Sequence, residues 1–213
     1  LLISQLAPYI LQAKEEFILV SPYFVPGQRG ADAICKLSKA GVRVRILTNS
    51  LASTDVGIVH AGYAKYRRSL LRAGVELYEV SGTFSWGQSD YRGEEGKEKA
   101  QASLHAKTFV IDRETLFVGT LNLDPRALVH NTEIGIVIDS AELASSVANL
   151  FDERIRKVAY RLALYRDAWN SESIQWVLQE EDGEKIFYDE PNVGFWRSLA
   201  IGILGLLPIE SQL

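Results

Sequence analysis

The sequence predicts an α/β fold. Apolar strand-like segments alternate with helical ones as far as residue 80, each helix is followed by a glycine, and two short apolar strands flank a turn near residue 113. Glu16–Tyr23 (EFILVSPY) reads as a buried strand ending in a Ser-Pro turn. Ala31–Ala40 reads as a helix closed by Gly41, and Val42–Thr48 (VRVRILT) alternates as the next strand. His60–Ala73 reads as one helix ending at Gly74, followed by the strand Val75–Val80. Three strands joined by helices form a parallel sheet.

The segment from Ser81 to Gln101 is rich in Gly, Ser, Glu and Lys without an apolar period, and it reads as a long mobile loop. After it, Leu104–Ile111 and Leu116–Leu123 read as a hairpin around Asp112–Thr115. A further strand follows at 132–139 (TEIGIVID), then a helix over Ser140–Arg166. From Asp167 the pattern changes to an acidic stretch and an apolar end, so the chain divides at 167/168. The apolar end, Phe195–Ile209, repeats at helical intervals; it reads as an interfacial helix on a membrane or as a helix docked on the domain.

Composition narrows the function. Of 213 residues, 47% are hydrophobic and 23% charged, an ordinary globular balance. The net charge of −4 lacks the basic excess of a nucleic-acid binder. The single cysteine, Cys35, cannot form an internal disulfide and reads as a small buried hydrophobe. The chain opens at Leu1 with no methionine anywhere and reads as part of a longer protein. No signal peptide and no apolar run of bilayer-spanning length are visible.

The chemistry concentrates in the hairpin. If Ile111 pairs with Leu116, Lys107 falls opposite Thr120 and His105 opposite Asn122, all four on one face. An ammonium, a hydroxyl and an amide suit phosphoryl oxygens, and an imidazole can attack phosphorus or carry a proton at neutral pH. Gly119 leaves room for a ligand to come close. Asp112 has the other parity and is expected to cap the turn or pair with a base. Glu133 sits at the head of the next strand, where it could orient one ring nitrogen of His105. His60, Tyr63 and Arg67 share a helix face that is either a head-group wall or a solvated surface, with Asp55 a weaker candidate beside them. Asn49 follows a strand end and could line the pocket; Ser21 is explained by its turn, and His130 reads as structural. No cluster has metal-ligand spacing.

These residues resemble a family. His105-x-Lys107, four residues, then Asp112, is similar to the HxKxxxxD motif of the phospholipase D superfamily. Gly119-Thr120-Leu121-Asn122 resembles the G-[ST]-x-N that follows it, and Asn131-Thr132-Glu133 the later N-x-E. Ser21–Gly27 (SPYFVPG) and Leu47–Ser50 (LTNS) resemble the second half of bacterial cardiolipin synthases, and the closing LLPIE resembles the end of the C-type.

The resemblance implies a mixed β-sheet flanked by helices on both faces, with a catalytic half-domain over 1–167 and a C-terminal helical extension over 168–213. It implies phosphatidyl transfer between phospholipids, forming cardiolipin through a phosphohistidine. His105, Lys107, Asn122 and Glu133 would be catalytic, supported by Asp112 and Thr120, with no cofactor and no metal. Asn49, His60, Tyr63 and Arg67 would contact substrate. The family uses two such motifs, and His60 and His130 lack a lysine two residues on, so a missing N-terminal half or a second copy would complete the site. By analogy His105 would be the general acid and base. The expected partners are phosphatidylglycerol, phosphatidylethanolamine and a membrane surface, not nucleic acid. The expected location is peripheral on the bacterial inner membrane or at its cytoplasmic face. Phospholipase or nuclease hydrolysis at the same site, and a non-catalytic half serving binding or dimerisation, are the competing readings.

Overall fold

The computed structural model describes residues 2–81, 103–125, 127, 131–194, 196, 197, 200, 201 and 204. The segment 82–101, His130 and most of the apolar tail, including Phe195, Leu199 and Ile203, lie outside the described residues. The elements are α1 (Leu2–Leu11), β1 (Glu16–Val20), α2 (Gly27–Lys39), β2 (Arg43–Asn49), α3 (Gly57–Ala64), α4 (Arg67–Arg72), β3 (Glu76–Val80), β4 (Thr108–Ile111), β5 (Thr115–Gly119), β6 (Gly135–Asp139), α5 (Ala141–Val158), β7 (Ala159–Arg166), β8 (Glu172–Glu180) and β9 (Gly183–Phe187).

The strands form one nine-stranded sheet in the order β6-β5-β4-β1-β2-β3-β7-β8-β9. β1, β2 and β3 are parallel, and the remaining pairings are antiparallel, so the sheet is mixed. Alternate residues of the central strands point to opposite faces and feed two cores. Phe17, Leu19, Val44, Ile46, Leu77, Phe109 and Phe117 pack on one side with residues of α1, α2 and α4. Ile18, Leu47, Tyr78, Val110 and Leu116 pack on the other against Ala144, Ala148, Phe151 and Ile155 of α5. Helices therefore cover both faces, as expected.

Three elements differ from the sequence reading. The helix expected over His60–Ala73 is two helices, with a turn at Lys65–Tyr66. The helix expected to run to Arg166 stops at Val158, and Ala159–Arg166 is a strand between β3 and β8. Tyr160 and Leu162 are buried in alternation, which is a period of two that the preceding helical pattern masked. The sheet also continues past residue 167: the C-terminal extension begins as the strands β8 and β9 and becomes helical at Trp196.

A buried ion network fastens one end of the sheet. The Arg45 guanidinium is 2% exposed, lies 5.0 Å from the Phe151 ring centre, and donates to Glu16 at 2.6 Å and to Asp152. Arg113 donates to the same two carboxylates at 3.0 and 2.7 Å, tying the hairpin turn to β1 and α5. Burial works against an ionised Asp152, but the hydrogen bonds from Arg45 and Arg113 prevail and hold its carboxyl below the usual range.

Candidate active site

His105 and Lys107 lie just before β4, at the end of the sheet where the parallel strands finish. The expected strand Leu104–Ile111 is regular only from Thr108. Its register is also one residue away from the expected one: Ile111 pairs with Thr115, not with Leu116. Asp112 and Arg113 both adopt left-handed conformations, and Glu114 N–H closes the turn on the Ile111 carbonyl at 3.0 Å, so three residues connect the strands where four were expected. A one-residue slip exchanges the faces of a regular ladder. Lys107 consequently faces Gly119, whose N–H bonds to its carbonyl at 3.1 Å. The shared strand face proposed for His105, Lys107, Thr120 and Asn122 is thus not how they are held.

Above the strand ends, hydrogen bonds join Thr120 to Glu133, and the Glu133 charge acts on Lys107. Thr120 donates its hydroxyl to Glu133, and its Oγ1 accepts the Ile134 N–H at 3.1 Å. Glu133 also accepts the Asn131 amide at 3.3 Å, and its charge acts on Lys107. Glu133 precedes β6 and engages Thr120 and Asn131, in place of the His105-orienting role expected of it. Lys107 is 9% exposed and its ammonium donates to the His105 carbonyl at 3.0 Å. Burial lowers its pKa, and Glu133 opposes that shift. His105 itself is exposed. Asn122 is half-buried, and its Oδ1 is buried without a hydrogen-bond partner, a state that a ligand would relieve. The parallel bridge between Phe24 and Leu123 pins this segment to the loop after β1.

Asp112 departs from the expectation that it would cap the hairpin turn or pair with a base, because backbone N–H groups of a distant segment occupy its carboxylate. Its carboxylate accepts the N–H groups of Lys14, Glu15 and Glu16 at 2.9, 2.8 and 2.9 Å, fixing the chain where it enters β1. Burial favours the neutral form, but these backbone bonds and the Lys14 charge outweigh it and lower the pKa. Gly119 also differs from expectation. A Cβ there would meet the Ile134 carbonyl at 2.5 Å and Gly135 Cα at 2.8 Å, so the space is used by the neighbouring strand and not by a ligand. A Cβ on Gly135 would strike the Phe117 ring at 2.2 Å.

The expected substrate-binding set has other work. Asn49 is buried; its Oδ1 accepts the Leu104 N–H at 2.9 Å and its amide reaches Ser103 at 3.4 Å, so it positions the stretch leading to His105. His60, Tyr63 and Arg67 do converge across the helix break, but inside the protein. Arg67 is paired with Glu79 at 3.0 Å and Glu190 at 2.6 Å, donates to His60, and lies over the Tyr63 and Trp176 rings. Trp176 donates to Glu79 at 2.9 Å. These are neither a solvated face nor a head-group wall. Burial raises the Glu79 pKa against the attraction of Arg67, whereas at Glu190 the Arg67 charge and His60 overcome burial and lower it to about 2. Glu79 and Glu190 escaped the sequence reading because their partners are up to 130 residues away. Asp55 accepts the Tyr23 hydroxyl at 2.7 Å, and burial together with that bond raises Tyr23 to about 12. Ser21 donates to the Tyr23 carbonyl, as its turn requires. Among the described residues, no three His, Cys, Asp or Glu converge on a metal site.

Comparison with known proteins shows the family and the fold. Residues 6–155 match the family described as "Cardiolipin synthase, PLD-like domain". The chain is 42% identical over 197 residues to cardiolipin synthase C of Escherichia coli K12, covering 92% of this chain and 40% of that protein. It is 34% identical over 160 residues to cardiolipin synthase A of Klebsiella pneumoniae, covering 74% of this chain and 29% of that protein. The chain thus spans well under half the length of these relatives. The fold is shared with the phospholipase D family member Nuc of Salmonella typhimurium, with a TM-score of 0.54 at 18% identity, 78% of this chain and 91% of that one. It is also shared with phosphatidylserine synthase of Haemophilus influenzae, with a TM-score of 0.57 at 16% identity, 75% of this chain and 36% of that one. The chain belongs to the cardiolipin synthase family of phospholipase D-like domains.

Proposed function

We propose that this chain is one half of a phosphatidyltransferase that joins two phospholipids into cardiolipin. The observation that carries this reading is the polar set at the strand ends: exposed His105, buried Lys107, Thr120 bound to Glu133, and Asn122 with an unpaired amide oxygen. A histidine nucleophile attacks phosphorus and the donor P–O ester bond breaks, leaving a phosphohistidine. The second histidine protonates the leaving alcohol, then takes the proton of the incoming one as the P–N bond breaks and a new ester forms. By analogy with two-motif relatives, His105 is the acid and base, and the nucleophile comes from the other half. Lys107 and Asn122 stabilise the equatorial phosphoryl oxygens, with Glu133 and Thr120 holding the scaffold beneath them.

Pairing with that half, an N-terminal segment or a second copy, is supported by the surface beside the site. Val118, Ile134 and Ile136 are 46, 72 and 64% exposed, an apolar stretch of β5 and the β6 edge that α5 leaves uncovered. The expected acceptor is phosphatidylglycerol, whose head group carries the free hydroxyl that forms the new ester; the phosphatidyl donor is a second phosphatidylglycerol, releasing glycerol, or phosphatidylethanolamine, releasing ethanolamine. Such substrates place the protein peripherally on the bacterial inner membrane. No helix among the described residues is long and apolar enough to cross a membrane. The tail residues that are described dock on the domain: Arg197 donates to the Thr54 carbonyl at 3.2 Å and Ile201 abuts Gly57. We further propose 1–167 as the catalytic half-domain and 168–213 as its extension. His105→Ala in the full-length protein, incubated with labelled phosphatidylglycerol and phosphatidylethanolamine, is expected to abolish cardiolipin formation with the fold intact. Cardiolipin made at the parental rate would refute the role.

A further inference from the structure

A recess of about 350 Å³ opens between the sheet and α5 at the end that carries the active site. Val20, Leu47 and Leu104 form its sheet side and Val147, Leu150 and Phe151 its helix side, and His105 is part of its wall. Apart from Ser103, His105 and Thr108, the lining is apolar. Leu150 is 44% exposed, so apolar carbon stands open to solvent within reach of the imidazole.

We propose that this groove holds an acyl chain of the phosphatidyl substrate while its phosphate sits at His105. The proposal rests on the phosphatidyl-transfer reading and adds where the lipid tail goes. A glycerophospholipid places its first methylenes a few bonds from phosphorus, so a phosphate at His105 must lay its chains against whatever surface adjoins that residue. The adjoining surface here is an apolar channel and not a charged one. Concavity separates it from the region suited to the other half of the protein. Val118, Ile134 and Ile136 stand proud on the outer strands, whereas the groove is sunk between β1, β2, the approach to β4 and this half's own helix. Binding energy gathered there, remote from the reacting bond, serves to hold phosphorus in line with the nucleophile. Each methylene removed from water into the groove is worth about fourfold in affinity, so the groove sets chain-length preference.

The test uses the full-length protein with dioctanoyl- and dioleoyl-phosphatidylglycerol competing in one mixed micelle, with products resolved by mass. Val147→Phe narrows the groove, and the long-to-short product ratio is expected to fall about tenfold. Leu150→Ala sits on the exposed side of the helix, avoids any folding defect, and is expected to lower the same ratio about threefold. A ratio unmoved in both variants overturns the proposal, and so does an equal loss on both lipids, which would mark this helix face as a contact with the other half. His105→Ala in parallel separates the two claims. An inactive His105→Ala with an unmoved ratio refutes the groove alone, and an active His105→Ala refutes the transfer reading itself.

Discussion

Asp112 belongs to the signature motif, yet in this structure it touches no reacting group, and its replacement tests that division. Asp112→Ala removes the acceptor of three backbone N–H groups. Those of Lys14 and Glu15 lie at the exposed surface and revert to water at little cost. The partly buried Glu16 N–H loses a charge-assisted bond worth about 1.5–3 kcal/mol. Alanine must also hold φ +52°, which aspartate tolerates and alanine does not, adding about 1 kcal/mol. The sum is about 2.5–4 kcal/mol, or about 5–16 °C in melting temperature for a domain of this size. Asp112→Gly removes the carboxylate without the backbone strain and is expected to fall between Ala and the parent. The carboxyl is depressed by folding, so its contribution is present above the unfolded pKa of about 3.9 and fades as pH falls through the lower folded value. The gap between parent and Asp112→Ala should therefore be full at pH 7 and narrow in acid below pH 4 to the pH-independent backbone part. Calorimetry across pH, with amide exchange at Lys14–Glu16, reads both effects. A melting temperature within 1 °C of the parent, or a gap that widens in acid, would refute the reasoning.

Three further outcomes follow from the same contacts. Gly119→Ala drives a Cβ into backbone on β6, so a loss of about 1–3 kcal/mol is expected, and an unchanged melting temperature would show that the strands can part freely. Arg67→Met leaves Glu79 and Glu190 buried without their cation and is expected to cost about 3–5 kcal/mol at pH 7; because Glu79 is already shifted upward by burial, the deficit should shrink on acidification, as urea unfolding at pH 5 and 7 would show. Thr120→Val frees Glu133 at an exposed position, so cardiolipin synthesis by the full-length protein should fall about tenfold while Thr120→Ser restores it; equal rates in the two variants would exclude the hydroxyl.

The alternating strand and helix signals of residues 16–80 were legible because each apolar face is long and a glycine stands before β2 and before β3. Gly41 and Gly74 both adopt the positive φ that such a position demands. The hairpin was legible as a hairpin but not in its register, because nothing in Asp-Arg-Glu-Thr announces two consecutive left-handed residues. The site residues stand out in the sequence by their chemistry, but their placement is set by the irregular stretches 103–107, 120–124 and 131–134, which no periodicity describes. The fate of Arg67 was illegible for a different reason. Its partner Glu190 is 123 residues away, Glu79 lies on the next strand where nothing local marks it as buried, and a basic residue on a helix face looks solvated until the sheet and the segment after β9 close over it.

The two glycines at 119 and 135 give the Phe117 ring its slot. That slot is closed to mutation on either side, so the barrel of the lock is fixed in shape. If the groove beside His105 takes an acyl chain as proposed, a change at Val147 or Leu150 of α5 would alter the tail it accepts without touching this slot or the strands that carry the motif.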